Sequence, residues 1–244
     1  MTTVAHASGA ASDRPQRAGE RHTGLVLLAP TLLIMTVVGF FPLVRSLYTS
    51  FTGYRPTEPA RYQGFVGLTN YARGLTDPQF LHSVFLTCLF TVISVAASLV
   101  LAILLALLFN KRLPGFTLLR TIILIPMLIT PIAVGITWRI MMMPDLRVLN
   151  YFLGLVGIAP WHWAGSRGSA LASVLLVDIW QWTPFMFIII FAGLSALPKS
   201  PFEAAAIDGA SPLQSFFLVT LPMLKPVIVI PSLLRLGDAM RTYD

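Results

Sequence analysis

The chain of 244 residues is 56% hydrophobic and only 11% charged, with a mean hydropathy of +0.77. A soluble globular domain carries roughly 25% charged residues, so this composition excludes a soluble one- or two-domain protein. The net charge of +7 does not point to nucleic acid, because the 17 Lys and Arg are scattered at the ends of apolar blocks, with no basic stripe and no interleaved aromatics.

Residues 1–24 are rich in Ala, Ser, Gly and Arg and lack apolar periodicity, so a disordered tail is expected there. The block from Leu25 to about Tyr48 follows Arg14, Arg17 and Arg21, as a signal-peptide core would. It is too long for one and no small-residue cleavage site follows it, so it reads as a retained first span. Four further blocks, about Phe80–Asn110, Leu118–Met143, Leu171–Leu197 and Met223–Tyr243, are long enough to cross a hydrocarbon core, which takes about 20 helical residues. Helices are expected because lipid offers backbone groups no hydrogen-bond partner. The fold class is therefore all-α, a polytopic transmembrane bundle. Internal prolines (Pro30, Pro42, Pro126, Pro131, Pro184, Pro231) predict kinks. Cys88 lies inside an apolar block and reads as buried filler. Lys111, Arg112 and Arg120 crowd one short loop, which weakly favours a cytoplasmic N-terminus.

The loop after the fourth apolar block, residues 198–222, holds two helix starts back to back. Ser200 can cap a helix with Pro201 first and Glu203 third, a capping box, and that helix should stop at Gly209. Ser211, Pro212 and Gln214 repeat the pattern, with a second helix expected to run to Leu221 before Pro222. A rigid helix–turn–helix protruding into water is predicted.

Within it, Glu203-Ala204-Ala205, Gly209 after three residues, Val219 after nine more, and Leu221-Pro222 resemble the EAA signature of ABC importer permeases. Val219 stands where the family usually has isoleucine; Asp208, Ala210 and Pro226 match the extended form. The segments Pro42–Phe51, Phe65–Tyr71, Asp77–Phe80, Trp180–Met186 and Ala192–Leu194 are similar to carbohydrate permeases, in particular the first permease of maltose- and glycerol-phosphate-type systems. The resemblance covers the chain from about Leu25 to Asp244 and implies a type I ABC importer permease fold in the cytoplasmic membrane. It implies coupling through Glu203, Ala204, Ala205, Asp208, Gly209, Ala210, Leu221 and Pro222 to ATP-hydrolysing subunits. The implied partners are two ATPases, a second permease, an extracytoplasmic solute-binding protein and membrane lipid. A cytoplasmic EAA loop with five spans also places the N-terminus in the cytoplasm. Family members continue past residues 241–244 into a sixth span, which this sequence does not contain.

Polar groups within spans mark a substrate path, because an ionised group mid-membrane costs roughly 2.5–3.5 kcal/mol. The candidates are Asp178, Trp180 and Gln181 in the fourth span, and Arg235 and Asp238 in the fifth. Trp180 and Gln181 suit sugar contact but equally interfacial anchoring; Arg235, Asp238 and Arg241, spaced i, i+3, i+6, suit an ion ladder as well as substrate contact. Trp161-His162-Trp163 reads as an interfacial belt. The four histidines show no metal-ligand spacing, and no nucleophile elbow, paired-carboxylate motif or phosphate-cradling loop occurs. No cofactor is expected on this chain, ATP and magnesium belonging to the ATPase. Solute import, of a sugar or polyol or of another solute such as a glycerol phosphodiester, is the expected function, with an ion-coupled secondary transporter as the rival.

Overall fold

The computed structural model describes residues 16–55, 64–110, 115–143, 148–163 and 165–241. Their secondary structure is helical throughout, apart from one isolated bridge between Thr52 and Phe65. All five expected apolar blocks are present: four long apolar helices and one bent helix pair. The chain divides into two compact units, Met1–Leu81 and His82–Asp244.

In the first unit, α1 (Gln16–Met35), a π-helical turn (Thr36–Phe40) and α2 (Phe41–Ser50) form one continuous rod. Its stretch Val26–Ser50 is apolar enough to span, and none of its apolar window is buried. Most of the tail expected over 1–24 is not described. Residues 1–15 lie outside the described residues, but α1 already begins at Gln16. A helix nucleated in the span extends cheaply through good helix formers such as Arg17, Ala18 and Glu20.

Beyond α2, two segments well apart in sequence fold onto each other. The Phe51 ring lies 6.4 Å from Phe65 and 5.5 Å from Tyr71, the latter in α3 (Thr69–Thr76). Asn70 Nδ2 donates to the carbonyls of Ser50 (2.9 Å) and Thr52 (2.8 Å), satisfying groups the end of α2 leaves open.

In the second unit, α4 (Pro78–Phe109) buries Ser94, Ser98, Ala102 and Ala106 completely. Four small residues, each four apart, make a flat stripe on which another helix can pack closely, the usual solution where lipid removes the hydrophobic drive for association. Ala102, Ala106 and Phe109 form the core with Met186, Phe187, Ile190 and Leu194 of α8 (Arg167–Ser195) and Leu224 of α11 (Leu221–Ala239). Helices α8 and α11 approach each other closely at Gly193, where a Cβ would come within 2.5 Å of Val227 Cγ1. Gly193→Ala should therefore lower stability in detergent by about 1–3 kcal/mol, with Val227→Ala restoring most of it. A thermal melt of the two variants and their combination checks this; a wild-type melt for Gly193→Ala alone would refute the close packing.

The third span differs from the single Leu118–Met143 helix expected. Helices α5 (Phe116–Leu128) and α6 (Pro131–Met142) meet at a 96° bend. Pro131 disfavours helical geometry at Thr130, which adopts φ −62°, ψ 140°. Pro126 has already removed one bond of the preceding turn. The Ile129 carbonyl freed by the break accepts a hydrogen bond from Gln181 Nε2 at 3.3 Å. A side chain from α8 thus satisfies a backbone group that lipid could not.

Candidate coupling loop and membrane cavity

The loop over 198–222 has the expected helix–turn–helix shape with two changes. Helix α9 (Ser200–Ile207) is entered through Lys199, itself in helical conformation, and no side chain caps it. Ser200 therefore lies inside the first turn, and the expected capping box with Glu203 does not form. Pro201 pre-sets the helical backbone there, so the helix can start one residue earlier. Glu203 remains as the acidic group of the first turn, favourable at the positive end of a helix.

The exit of α9 matches the expectation. Gly209 takes φ +74°. Its N–H bonds to Ala206 O (3.2 Å) and that of Ala210 to Ala205 O (2.9 Å), which is a Schellman closure. Helix α10 (Pro212–Ser215) begins with the predicted capping box. Gln214 N donates to Ser211 Oγ at 3.3 Å and Ser211 N to Gln214 Oε1 at 2.8 Å.

The second helix does not stop before Pro222. It passes through a π-helical turn, Phe216–Thr220, straight into α11, so that Pro212–Ala239 is one apolar rod of 28 residues. In both π-helical turns of the chain's described residues, a proline follows two residues later, Pro42 after the first and Pro222 after the second. A proline ring would clash with the carbonyl four residues back, and the wider turn moves that carbonyl aside. Leu221 and Pro222 thus begin the fifth span. On α9 and α10, Glu203, Ala204, Ala206, Asp208 and Gly209 are exposed, and so are Ile207 (86%) and Leu213 (69%). Ala205 and Ala210 are half-buried.

The polar residues of the spans converge. Arg235 of α11 is buried, 1% exposed, and reaches across to α8 and α4. Its Nη2 pairs with Asp178 Oδ2 and donates to Ser94 Oγ at 3.2 Å. Its Nη1 pairs with Asp238 Oδ2 at 2.7 Å, and its guanidinium lies 4.9 Å from the centre of the Trp182 ring. Ser94 donates to Asp178 in turn. One arginine thus serves two carboxylates, a hydroxyl and an indole face, stitching α4, α8 and α11 together at an atom cluster that lipid could not solvate.

The network borders a partly open cavity of about 1100 Å³. Asp178, Gln181, Trp182 and Asp238 line it from α8 and α11, and Trp138 and Arg139 from α6. Trp180 is not among the lining residues; it packs edge-to-face on Trp138 with ring centres 5.3 Å apart. Sequence reasoning named Asp178 and Arg235 but placed them in separate clusters, and it overlooked Ser94 and Trp138. The spacing Ser94, Ser98, Ala102, Ala106 was the available signal for which face of α4 turns inward. The Trp161–Trp163 segment is more than a belt. Asn150, on the short helix α7 (Val148–Leu155), binds Trp161 N (3.0 Å) and Trp163 Nε1 (3.1 Å). The Trp163 carbonyl accepts from Ser173 at 2.6 Å, and Trp163 faces the cavity.

A family model described as binding-protein-dependent transport system inner membrane component matches residues 74–244. A trehalose/maltose transport system permease protein of Thermococcus litoralis is 36% identical over 228 residues, 92% of this chain and 76% of that protein. A probable ABC transporter permease protein of Sinorhizobium fredii is 40% identical over 236 residues, covering 97% of this chain and 76% of the relative. Among solved structures, a bacterial alginate ABC transporter in complex with an alginate pentasaccharide-bound periplasmic protein has a chain that superposes with a TM-score of 0.74 at 21% identity. That match covers 93% of this chain and 76% of the other. The match to the family model, the relatives and the shared fold together show that the chain belongs to the binding-protein-dependent transport system inner membrane components, as a multi-pass permease of an ABC importer.

Proposed function

We propose that this permease carries a sugar or related polyol across the cytoplasmic membrane, coupled to ATP hydrolysis through the loop 198–222. The observation that carries the coupling is the exposed α9 helix, closed by Gly209 and presenting Glu203, Ala204 and Ile207 outward on a rigid turn. An apolar side chain as exposed as Ile207 on a rigidly closed helix suits a docking contact. ATP and magnesium bind the two ATPase subunits, which grip this loop; a second permease completes the pore, and a solute-binding protein delivers the sugar from outside. ATP-driven closure of the ATPase pair moves the loop, and because α10 runs unbroken into α11, the movement reaches Arg235 and Asp238 at the cavity. Access then alternates by rigid-body rocking about that site. The relative named for trehalose and maltose supports the sugar assignment, as do the tryptophans and hydrogen-bonding groups of the cavity wall.

The reading puts the N-terminus and α9 in the cytoplasm and the segment around Tyr54 outside. In a Cys88→Ser background, Ile207→Cys should cross-link to the ATPase subunit with a short bismaleimide and escape impermeant maleimide in intact cells. Tyr54→Cys should label and not cross-link. The reverse pattern would invert the topology and separate the loop from the ATPase.

A further inference from the structure

Helix α7 ends in the same closure as α9: Gly157 N donates to Gly154 O at 3.1 Å and Ile158 N to Leu153 O at 2.9 Å. The chain then turns back, and Trp161 arrives beside Asn150, 11 residues earlier. The Asn150 amide meets the Trp161 backbone twice, accepting from its N–H at 3.0 Å and donating to its carbonyl at 3.2 Å. Those two bonds already pin the segment to α7. The third is of another kind. Asn150 Oδ1 also accepts from the Trp163 indole Nε1 at 3.1 Å, which fixes a side chain. From the other flank, the hydroxyl of Ser173, buried on α8, donates to the Trp163 carbonyl at 2.6 Å. Trp163 is thus held by its ring from α7 and by its backbone from α8, and it lines the cavity with Trp138 of α6 and Trp182 of α8.

We propose that Asn150 is a positioning residue for solute selection: it holds the Trp163 indole as a fixed stacking wall, so that the cavity favours solutes with a ring face over open-chain polyols. This rests on the sugar reading above and deepens it. An indole has one polar hydrogen, and Asn150 occupies it, so Trp163 offers the cavity ring surface and no donor. The negative face of that ring is complementary to the C–H face of a sugar ring. A free tryptophan loses rotamer freedom when a solute packs on it. One tethered at Nε1 has lost that freedom already, so less of its contact energy is offset by ordering. Helix α8 runs from this segment toward the loop 198–222. On the proposed topology that puts Trp163 at the outer end of the cavity, where solute arrives.

The test uses the assembled transporter, permease pair with ATPase subunits, in phosphatidylcholine nanodiscs, titrated calorimetrically with maltose, trehalose and the open-chain polyol sorbitol. The wild type should bind maltose or trehalose, and Asn150→Ala should weaken that binding by about fivefold or more, the scale of one ring contact. Trp163→Phe keeps a ring and the backbone bonds but lacks the N–H, and should weaken it equally. Combined, the two substitutions should cost no more than Trp163→Phe alone, because Asn150 then has no side chain left to hold. Sorbitol binding should be the same in every variant. A further loss from Asn150→Ala in the Trp163→Phe background would show that Asn150 acts through the loop backbone and would overturn the proposal. Unchanged sugar binding in either single variant, or an equal loss for sorbitol, overturns it too. If Asn150→Ala does not assemble, Trp163→Phe decides alone: undiminished sugar binding sinks the positioning role. A wild type that binds neither sugar overturns the sugar reading itself, and the positioning role with it.

Discussion

Replacing Arg235 with methionine should lower the melting temperature of the assembled permease by about 10 °C, the largest single-site loss expected in the chain. Arg235 is buried, and its removal leaves the Asp178 carboxylate, 7% exposed, with the Ser94 hydroxyl bonded to it and no cation beside it. Breaking a buried pair from one side costs about 3–5 kcal/mol, most of it the desolvated charge left behind. For a chain of this size each kcal/mol shifts the midpoint by about 2–4 °C. The remedy follows from the same argument. Arg235→Met combined with Asp178→Asn removes both charges, keeps an amide that Ser94 can bond, and should recover most of the stability. Asp178→Asn alone should cost less than Arg235→Met, because Arg235 keeps Asp238 at 2.7 Å. A double variant no more stable than Arg235→Met would show that the guanidinium contributes through packing on Trp182 and not through charge.

The second large effect is expected at the loop and leaves the fold intact. Gly209 sits at φ +74°, where a β-branched side chain is strained by about 1–3 kcal/mol. Gly209→Val should disturb the two closing bonds, Gly209 N to Ala206 O and Ala210 N to Ala205 O, and so re-aim α9. That strain is too small to prevent membrane insertion, since a Cβ at Gly209 would meet nothing within 4 Å. It is enough to misplace a helix that, on the proposed reading, docks onto the ATPase. Glu203→Lys acts differently. Without a capping box to break, it leaves the helix start largely intact but reverses the charge of an exposed docking face and sets a cation at the positive helix end. Both variants should assemble the membrane unit normally yet lose ligand-stimulated ATP hydrolysis and uptake by about tenfold or more, equivalent to at least 1.4 kcal/mol of coupling. Reconstituted transporter, assayed for stimulated hydrolysis and for co-purification of the ATPase, separates detachment from uncoupling. Full stimulated hydrolysis in both variants would remove the coupling role from this loop.

The all-α membrane class, the five apolar blocks and the loop could be read from the chain alone, because each depends on local chemistry. Apolar runs of sufficient length, the Ser211–Gln214 cap and the glycine demanded at position 209 all act within a few residues of themselves. Errors clustered where a neighbour or a break decided the outcome. The Leu118–Met143 block looked like one span; its 96° bend needed Gln181 of α8 to satisfy the Ile129 carbonyl. Pro222 looked like a stop, but the π-helical turn before it absorbed the clash and let the helix run on. Asp178 and Arg235 were recognised singly as ionised groups that lipid would penalise. That they are direct partners, 57 residues apart with Ser94 bonded to both, depended on three helices packing along small residues. Charge and length are properties of a segment and are legible in it, whereas the pairing of charges follows from which helix faces meet, and that only the tertiary structure decided.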